Sequence, residues 1–275
     1  MDAIPFRPEE RPTDDWPRSR LAEPATWPCV RNLTIEPDER GGLRARYDTD
    51  LARAINPLLQ RDVRGRWLLE AFTALRLRPD PPAVGVPDED DLRAFVTTFG
   101  AFRDWDDGDR LGLIGGAVVE VRHLVSVADA LARGDQAALR QYGEQDRFFL
   151  GLASLGEWDS PEPARRFLSV YLSQARFMPE VGVRVDSRGR FGRVLQAESL
   201  LTFVYWQLTE QLTKRPSRGD DPKRPDPIFR MPWCGYCGGA ILSTRLADDR
   251  VNKWHAGCKA AGQAQARRRR AERKG

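Results

Sequence analysis

Histidine occurs only twice in these 275 residues, cysteine four times and methionine three times. So few cysteines exclude a disulfide scaffold for a chain of this size. Lysine is scarce as well, with five against 39 arginines, a bias that genome composition produces as readily as selection for phosphate binding. No apolar run approaches the ~18 residues of a membrane span; the longest uncharged one extends from Leu111 to Val119. The opening MDAIPFRPEERPTDDWPRSR has no basic segment followed by an apolar one. It does not read as a secretory signal, and the expected location is the cytoplasm, with no membrane partner. Catalytic signatures are missing too. There is no GxSxG, P-loop or HExxH, and no GxGxxG ahead of a helix, so a protein that is not an enzyme is expected, with no catalytic residues.

What is present reads as globular: 41% of residues are apolar and 31% charged. The length suits one large unit plus a small one. Net charge is +4, but its distribution is uneven. From Lys259 to Gly275 there are seven basic residues and one acidic, which puts +6 in the tail and leaves −2 on everything before it.

Residues 1–30 are rich in proline and read as an extended arm. LTIE and LRARY then suggest two short strands around the turn PDERGG, and DLARAINPLLQRDVRGRWLLEAFTALRLR suggests helix, broken near Asn56 by Pro57. RPDPPAVGVPDED reads as a loop whose Asp90 or Asp91 caps the next helix. In that helix Leu92, Phe95, Val96 and Phe99 fall on one face. A more apolar, central helix is expected from Leu111 to Arg133, punctuated by Gly134 and Asp135, followed by helical DQAALRQYGEQDRFFLGLAS and EPARRFLSVYLSQARF. VGVRV and FGRVL form a second hairpin around DSRGR, ahead of an amphipathic helix in QAESLLTFVYWQLTEQL. Hairpin then helix therefore occurs twice, at 33–60 and 181–212, a weak internal repeat. Residues 214–230 carry four prolines and alternating charge and read as a linker between a mostly helical domain at 31–213 and a cysteine module at 231–275.

Three of the four cysteines lie in that module. Cys234 and Cys237 are separated by two residues, as are His255 and Cys258, with 17 residues between the pairs. Gly235 and Gly238 suit a tight knuckle that turns both thiolates of the first pair to one side, and the intervening stretch suits a short hairpin with Ile241 and Leu246 as its small core. The second pair would open a helix, whose positive end favours the Cys258 thiolate. Three thiolates and one imidazole complete a tetrahedral zinc shell with no open position, which is a structural and not a hydrolytic site. Other candidates read blandly. Cys29 stands alone, and His123 with Glu120 one helical turn before it reads as a core histidine. The DWDDGD cluster at 104–109 lacks the terminal glutamate of a calcium loop. Tyr205 and Trp206 read as core more readily than as pocket lining.

The CxxCG pair, the apolar position after it, the Asn252-Lys253-Trp254 approach to the second pair and the arginine run beyond it resemble the treble-clef zinc fingers at the C-terminus of many bacterial proteins, including CGNR-type transcription regulators. Cys258-Lys259-Ala260-Ala261 stands where that family has Cys-Gly-Asn-Arg, the second pair is more closely spaced, and one ligand is histidine. The resemblance covers about 45 residues firmly and the preceding helix weakly. It implies a fold that is mainly α with small β-hairpins, an α-rich N-terminal domain plus a C-terminal treble-clef-like zinc finger, and a regulator that uses the finger on DNA. Arg267, Arg268, Arg269 and Arg270 would spread around a helix and neutralise phosphates without reading bases. Base reading would fall to Arg245, Arg250, Asn252, Lys259, Gln263 and Gln265. The alternative is a zinc-stabilised interaction or dimerisation module without DNA binding, anchored by Trp233, Tyr236 and Trp254. A homodimer and a small-molecule ligand of the helical domain stay open on this reading.

Overall fold

The computed structural model describes residues 27–38, 42–80, 83–102, 109–149, 158–173, 179–185, 191–213, 231–242 and 253–272. The chain is mainly α with small β-hairpins, as expected. Strand β1 (Trp27–Pro37) pairs antiparallel with β2 (Leu43–Ile55), and the two-residue β5 (Asp109–Arg110) adds to β2's far edge. The remaining strands form two hairpins, β3 (Leu77–Asp80) with β4 (Ala83–Pro87) and β6 (Glu180–Val185) with β7 (Phe191–Gln196). Seven helices complete the described fold: α1 (Leu68–Thr73), α2 (Glu89–Phe99), α3 (Leu111–Arg133), α4 (Gln136–Phe149), α5 (Pro161–Leu172), α6 (Leu200–Thr213) and α7 (Lys259–Glu272).

Amphipathic spacing forms most of these helices where it was expected. Leu92, Phe95, Val96 and Phe99 of α2 are buried, as are Phe167, Leu168, Tyr171 and Leu172 of α5. Helix α3 is the central element. It buries Ile114, Val118, Val121, Leu124 and Val125 and ends on Gly134, whose φ of 65° is the left-handed conformation glycine adopts freely. Among the described helices it alone is long and apolar enough to cross a membrane, contrary to the sequence expectation, because Val121, Leu124, Val125, Val127 and several alanines continue its apolar character beyond the charged Glu120 and Arg122. Here about 50% of its most apolar stretch is buried inside the protein, while Leu113 stays 67% exposed. A Cβ on Gly115 would lie 1.9 Å from the Gly85 carbonyl oxygen, so the absence of a side chain lets β4 cross the helix.

Two stretches depart from the sequence expectation. The helix expected from Asp50 onward is strand as far as Ile55, where β2 extends its pairing until Ile55 meets Trp27; the pairing overrides the local pattern. Turns and irregular backbone follow until Leu68, so the first hairpin does not lead straight into a helix and the internal repeat is not realised. The expected loop 78–90 contains the β3–β4 hairpin, and the cap of α2 is Asp88, which accepts from the Asp91 amide. Asp91 instead receives the Arg76 guanidinium. The expected arm over 1–26, the linker 214–230, Leu246 and the aspartates at 104–107 lie outside the described residues.

Helix α1, only six residues long, is held at both ends by its neighbours. Gln207 of α6 accepts from the otherwise unpaired Leu69 amide at 2.8 Å. Arg122 of α3 donates to the Thr73 and Leu75 carbonyls at the other end. Burial holds the Arg122 guanidinium below its ordinary range. Tyr205 is buried and donates to Glu120, consistent with a core role, while His123 is half-buried and sits edge-on to Tyr142 and Phe167. Cys29 is a half-buried free thiol on β1.

Candidate metal centre

The knuckle around the first cysteine pair is built by backbone. Trp233 and Ala240 form an isolated antiparallel bridge, the Cys234 amide donates to Gly239 O at 2.8 Å, and the Gly238 amide returns to Cys234 O at 2.9 Å. Gly238 has φ of 70°, which allows the chain to reverse there. The second pair is fixed by a single 3₁₀ turn, Ala256–Cys258, that runs directly into α7. The two halves are joined where the Gly235 amide donates to Lys253 O at 3.1 Å.

These elements bring Cys234, Cys237, His255 and Cys258 together, with all four ligand atoms within 4.8 Å of one another. The site is closed, since Cys234, His255 and Cys258 are buried and Cys237 is half-buried. His255 Nδ1 lies 3.4 Å from Cys237 Sγ, while Nε2 lies 2.8 Å from the Ala240 carbonyl. The carbonyl can only accept, so Nε2 carries a proton and Nδ1 is the nitrogen that faces the cysteine sulfurs, the one through which a metal would be bound.

The electrostatics describe a cluster that lacks balance without a cation. Burial would raise the Cys237 thiol, but the His255 imidazole, the Gly239 amide and the Arg66 guanidinium outweigh it and lower the group from 9.0 to about 6. Burial likewise works against protonated His255, yet Cys237, Glu70 and the Ala240 carbonyl raise it from 6.5 to about 9. Cys258 is pushed up to about 12, by burial first and then by the Cys237 and Cys234 charges. Burial and two neighbouring sulfurs outweigh any help the helix end gives this thiolate before a metal binds. A divalent cation at the centre would relieve that repulsion and deprotonate all three thiols. Three sulfurs and an imidazole at this spacing fit zinc, whose bonds to them are about 2.3 and 2.0 Å.

Residues far away in sequence complete the site. Glu70 of α1 is buried; Oε1 accepts from the Leu242 amide at 2.7 Å and lies 3.7 Å from His255 Nε2, and Oε2 accepts from the Trp67 amide at 2.9 Å. Burial raises the Glu70 carboxyl, opposed by His255 and those amides. Thr73, one turn further, accepts from the Ala240 amide at 2.9 Å, and the Gly257 amide donates to Arg64 O at 3.1 Å. A Cβ on Gly239 would lie 2.6 Å from Glu70 O, so the knuckle rests directly on α1. The module's Met231 and Ala240 belong to the main hydrophobic core. Nothing local in the sequence marked Glu70 or Thr73; a glutamate and a threonine in an apolar stretch were the only signal.

The expected nucleic-acid residues divide in two. Lys259 and Arg267, Arg268, Arg269 and Arg270 are exposed on α7, with Gln263 and Gln265 half-exposed on the same helix. Arg245, Arg250 and Asn252 lie outside the described residues. Gly262 lets α7 sit against the Trp254 indole, which a Cβ there would meet at 2.2 Å. Beyond that contact, residues 267–272 are exposed. No protein family, curated protein or solved structure matches the chain.

Proposed function

We propose that the chain is a zinc-containing nucleic-acid-binding protein, with DNA as the expected target and transcription regulation as the role. The metal fixes the start of a basic helix, and that helix supplies the contacts. The observation that carries this reading is the placement of α7. It leaves the metal site at Cys258, is anchored on Trp254 through Gly262, and then exposes four consecutive arginines with no described carboxylate paired to them. Successive residues on a helix turn by about 100°, so the four guanidiniums surround the axis and suit phosphates better than base edges.

Zinc would be held by Cys234, Cys237 and Cys258 through sulfur and by His255 through Nδ1. It would supply structural cross-linking and no reaction. A ligand of the helical domain has a candidate cavity of about 340 Å³ between α3, α5 and α6, lined by Leu131, Leu168, Leu172 and Leu212 with Arg165 at its edge. Tyr205 and Trp206 are not among its lining residues.

The test is duplex DNA binding by the zinc-loaded chain against an Arg267→Gln, Arg268→Gln, Arg269→Gln, Arg270→Gln variant, followed across salt concentration. Four lost phosphate contacts would flatten the slope of log K against log salt by about 3 to 4. Unchanged binding and slope in the variant, with zinc still present, would remove the reading. The second reading, in which the module stabilises or joins proteins without touching DNA, is favoured by the depth of its seat on α1 through Glu70 and Thr73. It predicts full zinc content and no salt-dependent binding.

A further inference from the structure

Beside the metal site, α7 and the knuckle enclose a groove of about 390 Å³. Trp233 and Trp254 supply its aromatic wall and Lys253, Arg269 and Arg270 its cations, with Gly235 and Gly262 also in its lining. Its described lining carries no carboxylate. We propose that this groove takes an unpaired nucleobase, stacked on an indole, with the flanking phosphates on Lys253, Arg269 and Arg270, so that the protein prefers single-stranded to duplex nucleic acid. The proposal rests on the nucleic-acid reading above and narrows it.

Two features point to this occupant. Aromatic faces beside a cationic strip are how proteins hold single strands, because every base has a π-face and every linkage a charge. The groove's volume is also that of a small-molecule site, enough for one base but not for a duplex edge. Arg269 and Arg270 therefore do two jobs at once. They belong to the phosphate-neutralising run, and they are the two members of it that border the groove. Arg267 and Arg268 do not border it.

The experiment uses the zinc-loaded full chain with fluorescein-labelled (dT)12, (rU)12 and a mixed-sequence 12-base-pair DNA duplex, read by anisotropy, together with quenching of intrinsic tryptophan fluorescence. The blocking variant is Ala266→Leu, which fills the groove from an α7 position that is not a metal ligand and favours helix. The expected result is a single strand bound at least about tenfold more tightly than the duplex, with quenching on binding. Ala266→Leu should remove both the preference and the quenching while duplex affinity and zinc content stay unchanged. Tighter (dT)12 than (rU)12 would name DNA as the source of the base, and the reverse order RNA; either supports the proposal. Equal binding of single strand and duplex, or a preference that survives Ala266→Leu, would overturn the groove while leaving the phosphate-binding reading intact. Binding of none of the probes would overturn both.

Discussion

Glu70 is the residue on which the centre turns. Its carboxylate faces the back of the His255 ring and receives two backbone amides, one from its own helix and one from the cysteine module. The His255 Nε2 proton goes to the Ala240 carbonyl, and Glu70, 3.7 Å from Nε2, steadies that partner by holding the Leu242 amide two residues on; loss of groups that orient a ligating imidazole typically costs 10 to 100-fold in metal affinity. Glu70→Ala should therefore weaken zinc binding by about that factor in a chelator competition while all four ligands remain; Glu70→Gln, which keeps an acceptor for the amides, should fall in between. A variant as tight as wild type would mean the carboxylate serves packing alone. Asp91 offers a pH-dependent counterpart. Burial would raise its carboxyl, but the Arg76 guanidinium and amide lower it below the ordinary 3.8. A lowered folded-state value means that the stabilisation is present above about pH 4 and is lost as pH falls through that lower value. Arg76 is exposed and Asp91 half-buried, so Asp91→Ala should cost only about 1 kcal/mol at neutral pH, a difference in thermal midpoint that vanishes in acid.

Among the elements, α3 was legible because apolar side chains recur along its whole length and Gly134 ends it. The strand at 51–55 and the β3–β4 hairpin were not, since their identity comes from partners: Ile55 from Trp27, and Val86 from Arg78. Gly115 shows the same limit. Local propensity favours alanine there by about 1 kcal/mol, yet a Cβ would strike the Gly85 carbonyl at 1.9 Å. Overpacking typically costs about 1 to 3 kcal/mol, so Gly115→Ala should lower stability in urea unfolding, by less than Gly115→Val. A stabilised Gly115→Ala variant would show that β4 moves aside freely. The four residues that could hold a metal were readable from paired spacing, whereas Glu70 was hidden 172 residues before its Leu242 partner.

At the scale of the molecule, the cysteine module is seated on the helical core and not merely tethered to it. Met231 and Ala240 are fully buried in that core, and α1, capped by α3 and α6, carries the hydrogen bonds to Ala240 and Leu242. A metal held by the cluster would then be coupled to the packing of α1, because a ligand that binds only the folded state stabilises it by mass action. Stripping the metal should lower the unfolding midpoint of the helical core as well as of the module, in one transition. Two separate transitions, with the core's unchanged, would mean the seat is weak.

The most direct test of the whole account is the metal content of protein purified without a metal-binding tag, measured by elemental analysis for wild type and Cys258→Ser. One zinc per chain in the wild type, lost or strongly reduced in the variant, is the predicted result. A fully folded wild-type protein that contains no zinc and takes up none when it is supplied would contradict the account at its centre.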